Sequence, residues 1–239
     1  MAGDEHNIEA ATNIFGKKPI IRREFIKFAG ATMVLGTVLS CKKDEHKPSD
    51  NYTNTANTID FKNDGGLLNF IYALEQTEAA FYLKVFENTA TDFTAVQKAF
   101  LNDIKLHQMA HAAFLKNFLG DTAIAKLEFD FSAIDFTMAA SVLTAAKGFE
   151  DLAVAAYNGA LLRAKEQYTF VLLSQMSSVE ARHAAWVRGQ VSVNAFADLN
   201  ELSVLGAVDA NGFDVLLSPG QIFEQLNKYI KTKLSVINL

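Results

Sequence analysis

Glu75 interrupts an apolar stripe of helical spacing formed by Leu67, Leu68, Ile71, Leu74, Phe81 and Val85. A carboxylate on a stripe that must be buried is costly unless something neutralises it. The same arrangement returns in FEDLAVAAY, where Glu150 is followed seven residues later by Tyr157, as Glu75 is by Tyr82. Glu180-Ala181-Arg182-His183 sets a carboxylate and an imidazole one helical turn apart, within reach of a single ion. Gln108 and His111 repeat that spacing, with an amide in place of the carboxylate. Glu75, Glu150, Glu180, His111 and His183 are therefore candidate metal ligands, and Gln108 a weaker one. Two divalent ions bring four positive charges into a low-dielectric interior. Carboxylates supply hard oxygen donors and cancel that charge, while neutral imidazoles complete the coordination.

These residues need four helices to bring them together. The periodicity predicts a first helix over 66–88. A second, capped by Thr91 or Asp92, runs to Leu119 and stops at Gly120. A third is expected over 138–165 and a fourth over 168–191. The Glu-x6-Tyr pattern relates the first helix to the third, and the [Gln/Glu]-x-x-His pattern relates the second to the fourth, so one helical hairpin is repeated. Between the hairpins, Leu127, Phe129 and Phe131 alternate with charged or small residues, as in an extended segment. At ~3.4 Å per residue the 120–137 link can run the length of a bundle. The expected fold class is all-α: an antiparallel four-helix bundle over 66–192 with a long crossover between its second and third helices. An extension over 193–239 packs on it and ends in a helix opened by Ser218-Pro219, burying Ile222, Leu226 and Ile230.

The four motifs, in order on four predicted helices, resemble the ferritin-like domain family of exported bacterial proteins over roughly residues 66–192. Such bundles take one Glu from each of two helices and Glu-x-x-His from the other two to hold two iron or two manganese ions. The resemblance implies a carboxylate-bridged di-iron site that oxidises Fe(II) with dioxygen or peroxide, with manganese as a variant. Gln108 departs from the family pattern, which has Glu there, and weakens one metal position. Glu78, one turn from Glu75, can help fill that gap. Tyr82 and Tyr157 face the same core, where their hydroxyls can hold ligating groups in place. His107 is expected beside the ligands or exposed. Phe81, Phe86, Phe149, Trp186 and Met176 read as packing. The rival reading is a non-enzymatic envelope or stress lipoprotein whose acid–imidazole layer is degenerate and holds no metal or a single ion.

The N-terminus reads as an address. Arg22-Arg23-Glu24-Phe25-Ile26-Lys27 resembles a twin-arginine export motif and Val38-Leu39-Ser40-Cys41 a lipobox, with a short apolar run between them. The resemblance implies removal of residues 1–40 and lipidation of Cys41. The product is an envelope lipoprotein, facing the periplasm or the surface, with the membrane as partner through its anchor. The twin-arginine route carries folded proteins, many of them already loaded with a cofactor. Residues 41–65 read as a flexible tether. A single cysteine excludes an intramolecular disulfide, and a net charge of −5 offers no basic footprint for nucleic acid. Metal ions are the expected ligands, and a homodimer stays open.

Overall fold

Thr94 decides where the second long helix begins. Its hydroxyl accepts the Gln97 amide at 3.1 Å while the Gln97 side chain accepts the Thr94 amide at 2.9 Å, a reciprocal cap. The expected caps thus shift: Asp92 instead accepts the Ala139 amide at the start of the third helix, at 2.9 Å. The computed structural model describes residues 57–87, 90, 92–197, 199–200, 206, 208–209 and 211–239. Thr91 lies outside these residues, as do Arg22, Arg23, Cys41 and the signal and lipobox motifs.

In chain order the elements are β1 (Thr58–Asp60), α1 (Asp64–Glu87), α2 (Ala95–Leu119), a 3-10 turn (Gly120–Thr122), α3 (Ala139–Leu161), α4 (Gln167–Val191), α5 (Pro219–Leu226) and β2 (Ser235–Ile237). The four long helices form the all-α bundle. α1 packs along α2, α3 along α4, and α1 also meets α3. Gly120, at φ 56°, ends α2 with its amide on the Lys116 carbonyl. α3 stops four residues short of the sequence expectation. The Arg163 and Ala164 amides turn back to the Ala160 carbonyl, and buried Asp64 takes the amides of Lys165 and Glu166 at 2.9–3.2 Å.

Of the tether expected over 41–65, residues 41–56 lie outside the described residues, and 57–65 are built into the fold. β1 pairs in parallel with β2, Ile59 opposite Val236, and Ile59 is fully buried. Gly66 must be glycine at this junction, since a Cβ there would lie 1.6 Å from the Asp60 carbonyl oxygen. The C-terminal extension runs back over the bundle. The Leu217 amide bonds the Ala155 carbonyl at 3.1 Å, and Gly159 makes room for the Leu217 backbone. Ser218 and Gln221 cap α5 reciprocally, and Ile222, Leu226 and Ile230 are buried as expected.

Two α1 side chains pin the crossover. Asn69 accepts the Ile124 amide and donates to the Thr122 carbonyl, at 2.6 and 2.9 Å. Gln76 accepts the Leu127 amide and donates to the Ala125 carbonyl, at 2.9 and 3.3 Å. The segment is extended, with Leu127 and Phe131 buried and Glu128 and Asp130 exposed. The apolar interior is split into two clusters. One includes Ile71, Leu74, Leu115, Tyr157, Leu173 and Met176. The other includes Phe81, Tyr82, Ile104, Ala146, Phe149 and Val187. On α1 the residues between Leu74 and Phe81 include Glu75 and Glu78, so the break between the clusters is a polar layer. Among the described residues no helix is long and apolar enough to cross a membrane.

Candidate metal centre

The polar layer draws one or two residues from each long helix: Glu75 and Glu78 from α1, Gln108 and His111 from α2, Glu150 from α3, Glu180 and His183 from α4. All four carboxylates and Gln108 are 0 % exposed. Helical spacing explains how they arrive. Each i, i+3 pair spans one turn, so both members face the axis that the apolar stripes have turned inward.

Glu180 is the centre of the geometry. Its Oε1 lies 2.9 Å from His111 Nδ1, and its Oε2 lies 3.3 Å from His183 Nδ1. Glu75 Oε1 approaches His111 Nδ1 at 3.5 Å, and Glu150 Oε2 approaches His183 Nδ1 at 3.5 Å. Two triplets result, Glu75–His111–Glu180 and Glu150–His183–Glu180. Within each, one donor atom per residue falls within 4.8 Å of the others. Glu180 belongs to both and offers one oxygen to each side.

The tyrosines cross the bundle in a reciprocal pair. Tyr157 donates to Glu75 and Tyr82 donates to Glu150, each at 2.5 Å, so α3 orients the carboxylate of α1 and α1 that of α3. Gln108 Nε2 donates to Glu180 Oε2 at 2.8 Å. His107 Nδ1 lies 2.8 Å from His183 Nε2, with the rings stacked at 5.1 Å. The sequence reading has His107 beside the ligands or exposed, and the structure sets it beside one of them. Its meeting with His183 depends on how α2 and α4 pack.

Several buried polar atoms in this layer have no hydrogen-bond partner: Glu75 Oε2, both oxygens of Glu78, Gln108 Oε1, His111 Nδ1, Glu150 Oε2 and Glu180 Oε1. His111 Nδ1 and Glu180 Oε1 are close, yet not aligned for a hydrogen bond. Buried carboxylates without partners are rare in folded proteins. A set of carboxylate oxygens and imidazole nitrogens suits Fe(II) or Mn(II), so the residues present fit such ions.

The protonation pattern has the same origin. Burial, followed by the neighbouring Glu180, raises Glu75 to about 7, and His111 and Tyr157 only partly offset this. Burial, then Glu150, Glu180 and Glu75, holds Glu78 well above the usual carboxylate range. Burial also raises Glu150, against the pull of His183. Burial opposes charge on the two imidazoles, but Glu180 and Glu75 carry His111 to about 10, and Glu150 and Glu180 carry His183 to about 10. Glu180 resists burial through His111 and His183 and falls to about 2. Without metal, then, protons sit where cations would bind.

A family model described as the ferritin-like domain matches residues 63–192. The chain belongs to the ferritin-like domain family. The match spans α1 to α4 and contains every residue of the layer, Gln108 included. No curated protein matches the chain. On the outside of the ferritin-like domain, a cavity of 440 Å³ reaches His111 between α2 and α4; it is lined mainly by Phe114, Tyr168, Val171, Leu172 and Met176.

Proposed function

We propose that the layer binds two divalent metal ions, iron first and manganese as the variant, and that the protein oxidises Fe(II) with dioxygen or peroxide. The observation carrying this reading is Glu180, whose two oxygens face two separate Glu–His pairs. Bound iron would supply the redox chemistry, two Fe(II) giving one electron each to the oxidant. The chain's own residues do the rest. Glu75, His111 and one Glu180 oxygen form one cradle, and Glu150, His183 and the other oxygen form the second. Tyr157 and Tyr82 fix the rotamers of Glu75 and Glu150, and such supports are worth about 10–100-fold in metal affinity. The cavity at His111 is mostly apolar, which suits entry of a small uncharged oxidant.

The second reading, a metal-free layer in a non-enzymatic envelope or stress lipoprotein, draws on one observation. Gln108 already donates a hydrogen bond to Glu180 Oε2, which a metal would otherwise claim. Anaerobic titration with Fe(II) followed by exposure to oxidant separates the two. Saturation at two ions per chain with oxidation of both is the expected result; failure to retain either ion leaves the second reading.

Export and anchoring belong to the same proposal. Arg22→Lys/Arg23→Lys should leave precursor in the cytoplasm, and Cys41→Ala should release an unlipidated form, both read by fractionation and membrane partitioning. Unchanged membrane delivery in both variants would refute the address.

A further inference from the structure

We propose that Glu78 is the fourth carboxylate of the two-ion site, supplied from α1 in place of the one that Gln108 does not supply from α2. This rests on the two-ion reading above. Glu78 lies one turn after Glu75 and is fully buried. Glu75, Glu150 and Glu180 each accept a hydrogen bond, from Tyr157, Tyr82 and Gln108 respectively. Glu78 alone of the four has neither oxygen partnered.

Protonation does not resolve this. It removes the charge but leaves both oxygens without a donor. Glu78 is buried on α1 between the two apolar clusters, in the polar layer that holds Glu75, Glu150 and Glu180. A cation between these groups satisfies its oxygens and offsets the mutual repulsion. Four carboxylates then balance two divalent ions with both imidazoles neutral. Gln108 has a different part. Its amide nitrogen orients Glu180, and its buried carbonyl oxygen is left without a partner, open to a weak contact with an ion.

The experiment compares full-length wild type, Glu78→Gln and Glu78→Gln/Gln108→Glu. Mn(II) binding is read by calorimetry and by the spin-resonance signal of free Mn(II), with circular dichroism checking the fold. Two ions bind wild type. Glu78→Gln keeps the volume and should weaken the second ion at least about tenfold. The double variant restores four carboxylates, the fourth now from α2, and should regain two ions, which a merely structural Glu78 would not require. Unchanged two-ion binding by Glu78→Gln overturns the proposal while leaving the two-ion reading intact. So does a folded double variant that binds no better than Glu78→Gln. Wild type that binds no Mn(II) overturns both.

Discussion

Glu180→Gln is expected to abolish loading of both ions, whereas Glu75→Gln or Glu150→Gln should each remove one. The asymmetry follows from the shared carboxylate. Glu180 faces His111 with one oxygen and His183 with the other, while Glu75 and Glu150 each serve one triplet. Loss of a direct ligand should exceed the ~100-fold effect typical of supporting groups. The metal-free protein should also suffer. His111 and His183 are held charged in part by Glu180. Removing it leaves two buried cations short of a counter-charge, a defect that costs up to about 3–5 kcal/mol if they cannot shed protons. Melting temperature and metal stoichiometry, measured on the three variants together, check both parts. A Glu180→Gln protein that still holds two ions would contradict the shared-ligand geometry.

The second large effect is opposite pH dependence in the metal-free and loaded protein. Without metal, His111 and His183 at about 10 lie above their ordinary 6.5. Their contribution to stability is complete below pH 6.5 and is lost as pH rises through 10. Glu75, raised from 4.5 to about 7, acts in the same sense, favouring the fold below 4.5 and losing that contribution as pH rises through 7. Glu180, lowered from 4.5 to about 2, does the reverse: its contribution is present above 4.5 and lost as pH falls through 2. The metal-free melting temperature should therefore fall from pH 6 to pH 9. Metal must displace the imidazole protons, so affinity should rise by about tenfold per ion per pH unit near neutrality. Loading at pH 7 should release at least about two protons per chain. Calorimetry in buffers of different ionisation enthalpy counts them, and loading without proton release would show that the imidazoles are not ligands.

The bundle was legible because its information is periodic. Apolar stripes broken by Glu75 and Glu150, and turn-spaced pairs at Gln108/His111 and Glu180/His183, fix which faces turn inward once α1 to α4 are in place. The extended crossover could be read from Leu127, Phe129 and Phe131, and α5 from Ser218-Pro219. What escaped depended on tertiary contact. Asp92 was a plausible cap by residue type, but Thr94–Gln97 is a reciprocal box and takes precedence. The segment 57–65 lacks periodicity because Ile59 is buried by a partner strand from the far end of the chain. The meeting of His107 with His183 and the unpartnered state of Glu78 belong to helix packing, which no spacing rule encodes.

Diffraction from crystals of the purified protein soaked in Mn(II), using the anomalous signal of manganese, tests the central claim most directly. The expected result is two peaks about 3.5–4 Å apart, the spacing of two-metal sites. One peak should lie against Glu75 and His111 and the other against Glu150 and His183, with the Glu180 carboxylate between them. A layer without anomalous density, in which Gln108 still donates to Glu180 and ions are found only elsewhere, would contradict it.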